Sequence, residues 1–388
     1  MALSQPPAAK TNATSPMSYT ELSTVKHRVA VGLALPFNVR NADRTLLLAQ
    51  GQVIENRAQL ESLMDRGALV DVRELLTPSQ RIAIAPREAL PALWQESMTQ
   101  ITETLRSNPD QHFQAALGAA AVPAMALIER DPDLAIFQVL RQDANAMARY
   151  GMEHALHAGI TSVLVAKRLG WSDTDTQRAF KAALTMNISM LELQGQLATQ
   201  ADPMSPAQRE AVHAHPWFST RMLELAGVTD PDWLDAVATH HDALEGANYP
   251  PSQRTANELA ALIRRADIYV AKLSPRQGRR ALAADQAGRA LFRQDPKHEM
   301  TAALIKEFGV YPPGCFVKLV SGETGVVLRR GGTVMAPVVA VLSSAQGQRP
   351  AEPVRRDTAE PAFAVHAVLP AQPDFAQVAH TTLAALAA

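Results

Sequence analysis

Four helix starts are written into residues 172–258, and they commit this stretch to a helical bundle. In "SDTD", Ser172 stands three residues before Asp175. In "SPAQ", Ser205 stands three before Gln208, with Pro206 at the first helical position, where a missing N–H costs nothing. In "TANE", Thr255 stands three before Glu258, and in "TDPDWLDAVATHH" Pro231 opens a further helix that runs to the paired histidines. Each pair puts a side-chain acceptor where the first turn leaves amides without partners. These signals, with the apolar spacing between them, predict helices over about 150–169, 174–195, 206–226, 231–241 and 256–273, then further helix to about 308.

The flanks carry a different period. Residues 25–77 contain short apolar runs split by "NVRNAD" and "QGQ", then a short helical pattern, and read as a small α+β module. Residues 1–24 are rich in Ala, Ser, Thr and Pro and are expected to be a disordered lead-in. Residues 78–145 read as a helical connector or as the first helices of the next domain, 146–308 as the helical domain, 309–345 as a β extension and 346–388 as an Ala/Pro-rich tail. The fold class is mainly α, with small β-rich modules at both ends of the bundle.

Composition narrows the function. Apolar residues make up 47% and charged residues 19%, which suits a soluble globular chain with a sizeable core. A net charge of −1 argues against a dedicated DNA or membrane-surface binder. The single cysteine, Cys315, rules out an intrachain disulfide and fits a reducing compartment. The longest apolar run, 115–128, is too short for a membrane span and contains Pro123. No secretory leader pattern opens the sequence, so a cytoplasmic location is expected.

Chemistry-bearing residues recur along the bundle. His154 lies on its first helix, His215 in "HAHP", and His240 and His241 at the end of the "TDPD" helix. Asp267 sits mid-helix between Ala266 and Ile268, where an unpaired charge would cost several kcal/mol. Facing helices that each contribute a His or Asp can build a metal site in a bundle core. A bland reading stands beside this one. A lone histidine is more often exposed or locally satisfied than a ligand, and Asp267 has Arg264 and Lys272 nearby as partners.

Residues 146–320 resemble the HD-GYP family, a branch of the HD-domain metal-dependent phosphohydrolases that typically hydrolyse cyclic di-GMP. The resemblance runs in order through "YGMEHALHAGITSVLVAKRLGW", "AVHAHPWFSTRML", "HHDALEGANYP", "RRADIYVAKLSPRQGR" and "FGVYPPGCFVKLVSGETGVVL". It implies an HD-type helical bundle and places metal-ligand positions at His154, His215, His240, His241 and Asp267. It marks Asp242, Tyr249, Arg276 and Arg279 as ligand-contact positions.

The departures are as informative. Where the family has Ala-Ala-Leu-Leu-His-Asp-Ile-Gly-Lys, this chain reads "AALTMNISM", residues 182–190. Met186 replaces the name-giving histidine, Asn187 the bridging aspartate, Ser189 the glycine and Met190 the lysine. Asn248 replaces a signature glycine, Val270 an acid, and Gln277 with Gly278 a Pro-Tyr pair. A two-metal site needs bridging anionic oxygen, and a thioether is a poor ligand for hard cations.

The expectation is a degenerate HD-GYP pseudoenzyme, without catalytic residues and without a required cofactor. It would act in cyclic di-GMP-type signal transduction by binding that or a related nucleotide, or signalling proteins such as diguanylate cyclases. If the surviving residues, a vestigial site, hold a cofactor, it is a divalent metal: Mn, Fe, Mg, Ni or Zn. Two other readings stay open: an active phosphodiesterase with a non-standard site, and a ligand-free interaction scaffold.

Overall fold

The computed structural model describes residues 18–388 except 108, 142–146, 148, 242–257, 371, 373–374, 376–377 and 388. Two compact units divide the chain at 81/82.

In the first unit, strands β1 (Tyr19–Glu21), β2 (Val39–Arg40), β3 (Leu46–Leu48) and β4 (Leu69–Asp71) form one antiparallel sheet in the order β1-β4-β2-β3. Helix α1 (Arg57–Asp65) is capped by the Asn56 side chain, which accepts from the Gln59 amide. Leu22, Phe37, Val39, Ile54 and Val70 make its core. Tyr19–Glu21 pairs with Leu69–Asp71. Of the expected disordered lead-in, residues 1–17 lie outside the described residues, and Tyr19–Glu21 is an ordered strand because β4 presents an edge for it to join. Helices α2 (Val72–Leu75) and α3 (Pro78–Ile84) follow.

The second unit opens with α4 (Leu90–Arg106), α5 (Phe113–Arg130) and α6 (Pro132–Leu140). Of the two readings of 78–145, these helices fit the one that makes them the first helices of the next domain. Trp94, Ile101, Leu117, Leu127 and Ile136 are buried in the same core cluster as the helices that follow, so the chain from α4 onward is one packed body. Helix α5 also continues through Pro123, whose ring does not end it.

The central helices are α7 (Tyr150–Arg168), α8 (Asp173–Thr185), α9 (Leu191–Thr199), α10 (Pro206–Leu225), α11 (Pro231–Thr239), α12 (Glu258–Leu273), α13 (Ala284–Gln294) and α14 (Glu299–Phe308). Ser205 and Gln208 form the complete reciprocal cap. Ser172 accepts from the Asp175 amide, but Asp175 takes the Ser172 hydroxyl and not its backbone N–H. Asp230 caps α11 by accepting from Asp232 and Trp233. The Thr255 cap lies outside the described residues. The helix expected over 174–195 is two helices, broken at Met186–Met190 by a 3-10 turn, Ile188–Met190.

Two glycines let α7 sit deep in the bundle. A Cβ on Gly151 would lie 2.0 Å from the Leu191 carbonyl oxygen, and one on Gly159 would lie 2.8 Å from the Phe180 ring. Glycine-to-alanine changes inside helices normally stabilise by about 0.5–1 kcal/mol. Gly151→Ala is expected to reverse that sign and destabilise by about 3 kcal/mol, because backbone cannot yield as a side chain can. A denaturant midpoint equal to or above wild type would refute the close α7–α9 approach.

The remaining strands are β5 (Phe316–Leu319), β6 (Thr324–Arg329), β7 (Val338–Ser343), β8 (Val354–Asp357) and β9 (Val365–Leu369), followed by α15 (His380–Ala387). They form an antiparallel sheet in the order β8-β7-β6-β5-β9. The β extension thus runs beyond residue 345, and the expected tail carries two of its strands, β8 and β9. One face packs on Phe137, Leu383 and Ala387, and the other buries Cys315, Val317 and Val339. Every residue of β7 is buried, so the alternating pattern that marks a half-exposed strand is absent there. No helix among the described residues is long and apolar enough to cross a membrane.

Candidate metal centre

Four helices bring the histidines and Asp267 to one region of the bundle. His154 projects from α7 and Asp267 from α12, with the His154 Nε2 and an Asp267 carboxylate oxygen 2.7 Å apart. The partner of Asp267 is therefore His154. Arg264 instead donates to the His241 carbonyl oxygen at 2.7 Å, steadying the end of α11.

His215 of α10 meets His240 and His241 just past α11. Their ligand atoms all lie within 4.8 Å of one another. The His215–His241 ring centroids are 5.0 Å apart and those of His240 and His241 are 4.1 Å apart. His215 and His240 are fully buried. Each points Nδ1 at the carbonyl oxygen three residues back, Val212 for His215 and Val237 for His240. An Nδ1–H that donates there leaves Nε2 as a lone pair in the neutral ring. The two Nε2 atoms face each other at 3.2 Å. Facing lone pairs repel unless a proton or a cation lies between them. Two imidazoles on one tetrahedral metal, at N–metal distances of about 2.0–2.1 Å, present a similar separation of roughly 3.3 Å. The backbone bonds at Nδ1 are the outer contacts that orient metal-bound histidines. The donor set therefore fits one divalent ion.

Electrostatics agree with neutral imidazoles. Burial pushes His215 down to about 4, against the opposing effect of its Val212 bond. Burial, with His241 and His215 adjacent, also holds His240 well below its ordinary value. For Asp267 burial pulls upward, but the His154 hydrogen bond and the nearby histidines outweigh it and hold the carboxyl below the usual range.

The substituted segment lies beside this cluster. Ser189 places its hydroxyl 3.2 Å from the His215 carbonyl oxygen and 2.9 Å from the Ser219 hydroxyl. Asn187 is 3% exposed, and its side-chain oxygen has no hydrogen-bond partner among the described residues. Met186 is fully buried and belongs to the main apolar core. Met190 is half-buried. Trp233 of α11 donates to the Thr185 hydroxyl at 2.9 Å, tying the end of α8 to the helix that leads into His240.

The remaining expected site residues are placed differently. Asp242 and Tyr249 lie outside the described residues. Arg276 donates to the Tyr150 hydroxyl and lies 4.5 Å above that ring. Arg279 donates to the carbonyl oxygens of Ala271 and Ser274, closing the end of α12. Both guanidinium groups thus make structural bonds here.

Sequence reasoning missed Tyr150. Its ring stacks on His154 with centroids 5.4 Å apart and 12° between planes, so Arg276, Tyr150, His154 and Asp267 form one continuous line of contacts. The signal was available: Tyr150 is four residues before His154, on the same helix face. His157, one turn beyond His154, was also missed; it is buried, which pushes its imidazole down to about 4.

No family model matches the chain. Among curated proteins, the chain is 26% identical over 208 residues to a cyclic di-GMP phosphodiesterase of Pseudomonas aeruginosa, covering 52% of this chain and 50% of that protein. It therefore spans about half the length of the curated relative it matches. Among solved structures, an HDG"Y"P protein from Bdellovibrio bacteriovorus aligns with a TM-score of 0.47 at 15% identity, covering 75% of this chain and 98% of that one. The sequence match to the phosphodiesterase and the ordered His, His-Pro, His-His and Asp motifs agree with a resemblance to the HD-GYP family.

Proposed function

We propose that this chain is a catalytically inactive HD-GYP protein that works in cyclic di-GMP-type signalling by binding. The observation that carries this reading is Asn187. A neutral amide, buried and with its oxygen unpartnered, stands beside the His215 segment where the family places a bridging carboxylate. Two divalent cations a few ångströms apart repel strongly, and anionic bridging oxygen normally offsets that repulsion. Met186 adds only a soft thioether, and Met190 cannot contact a phosphate as a lysine does.

His215, His240 and His241, with His154 and Asp267 beside them, suit a single ion. Such an imidazole-rich set favours Zn or Ni over Mg, which prefers oxygen ligands. A bound ion would supply Lewis acidity and hold a phosphate oxygen or water. His154 is held by its bond to Asp267 and by the stacked Tyr150 ring. The bound ligand in this reading is cyclic di-GMP or a related nucleotide, and the output passes to signalling proteins such as diguanylate cyclases.

The facing Nε2 atoms of His215 and His240, 3.2 Å apart, favour one competing reading, a one-metal phosphodiesterase. A single experiment separates the two. Purified protein is titrated with cyclic di-GMP by calorimetry, and turnover is followed with Mn or Fe added under reducing conditions. Binding without turnover is expected. Multiple turnovers by the wild type would overturn the inactive reading, and absence of binding would leave only an interaction scaffold.

A further inference from the structure

A cavity lies against α7, and none of the five expected metal-ligand residues lines it. It has a volume of about 860 Å³ and is walled by α4, α6, α7 and the residues leading into α15. That is within the range of small-molecule sites, roughly 300–1,000 Å³.

Its lining divides into two kinds. Met98, Met152 and Leu156 provide apolar wall. Trp94, Gln138 and His157, one from each of α4, α6 and α7, form a buried polar floor. The Trp94 indole nitrogen and the Gln138 amide nitrogen have no hydrogen-bond partner among the described residues. Leaving a buried donor unpaired costs about 1–3 kcal/mol, so two such donors in one floor call for an acceptor.

The rim carries Arg106, Arg141 and Arg149 against Glu103 and Glu153. Glu153 is already engaged by Arg149 at 2.9 Å, and Arg141 donates to the Val378 carbonyl oxygen. Arg106, exposed at the end of α4, makes no hydrogen bond or ion pair among the described residues. The cavity thus offers donors on its floor and rim, with Glu103 as a rim carboxylate that no ion pair among the described residues engages, and an apolar wall between floor and rim.

We propose that this cleft binds a small amphipathic organic anion. Its acidic oxygens would meet Arg106 and the floor donors, and its apolar body would lie on Met98, Met152 and Leu156. The proposal is independent of any nucleotide or metal at the histidine cluster. The two sites share α7, where His157 stands one turn from His154.

The test uses the full chain and two matched probes. Anilinonaphthalene sulfonate is an amphipathic anion, and N-phenylnaphthylamine is the same ring system without the sulfonate. The sulfonate is expected to bind saturably at one site per chain, and the neutral probe about tenfold more weakly, as loss of one charge-assisted contact implies. Thr102→Trp, which fills the cleft, and Arg106→Glu, which reverses its rim, should each weaken sulfonate binding at least about tenfold. Trp217→Ala alters a distant exposed aromatic and should change nothing. Equal affinity for the two probes would overturn the anion assignment. Unchanged binding in Arg106→Glu, a change at an exposed position outside the core, would overturn the site. So would loss of binding in Trp217→Ala.

Discussion

Asn187→Asp is expected to lower the melting temperature of the metal-free protein and to make its stability depend on added Mn. Asn187 is almost completely buried, and the described residues offer its side-chain oxygen no donor. An ionised carboxylate at that position would lack a partner, at a cost of several kcal/mol, or would have to take up a proton. A cation bridged between this carboxylate and the histidine cluster reverses the penalty. At free metal 100 times its dissociation constant, binding returns about 2.7 kcal/mol to the folded state. Wild type, which keeps the amide, should show at most one ion per chain and little change in melting temperature with Mn. Met186→His/Asn187→Asp/Met190→Lys should hold two ions. Thermal melts with and without Mn, and metal content after desalting, read both outcomes. If Asn187→Asp is as stable as wild type without metal and gains none, position 187 does not face the cluster and the assignment of the lost bridge fails.

Acid is expected to unfold the metal-free protein well above the pH at which ordinary carboxylates titrate. His157 and His215 are held down to about 4, and His240 lies well below its ordinary value, all first because of burial. In the unfolded chain each titrates near 6.5. Between about pH 6.5 and 4 the unfolded state therefore binds protons that the folded state refuses. Stability is fully present above 6.5 and falls as pH drops through this window. His157 and His215 should each cost on the order of 3 kcal/mol across it. Asp267, also depressed, adds a loss in the same direction at lower pH, once the unfolded carboxylate protonates. Urea unfolding with chelator from pH 7.5 to 4.5 should show this slope, and His157→Gln should make it shallower by about one proton. Stability that is flat over that range would show that these imidazoles take up protons without penalty. A bound metal should suppress the part due to His215 and His240, since proton and cation compete for the same lone pairs.

Much of the bundle was legible because helix starts are local. The caps at Ser172 and Ser205 depend on residues three apart, and each appears where its side chain predicts, while α11 begins at Pro231 as that residue predicts. The histidine positions were legible only through an ordered resemblance, since nothing in local spacing says that His215 and His240, 25 residues apart, face each other. The bland partners offered for Asp267 were near in sequence, yet its hydrogen bond goes to His154, 113 residues away.

What the sequence determined by itself was therefore the helical character of 150–308, its principal starts, and the absence of a histidine and a carboxylate at positions 186 and 187. Tertiary structure decided the rest. The sequence leaves α4 to α6 open between a connector and the first helices of the domain, because amphipathic spacing does not say which body a helix packs on, and burial of Trp94 and Leu117 settles it. Strands β8 and β9 lie in an Ala/Pro-rich stretch with little pattern of their own. They become sheet because β7 and β5 offer edges whose amides and carbonyls require partners. The break in α8 at Met186 and the seating of α7 on Leu191 follow the same rule. A backbone's path there is set by what lies against it, and Gly151 permits the contact without announcing it.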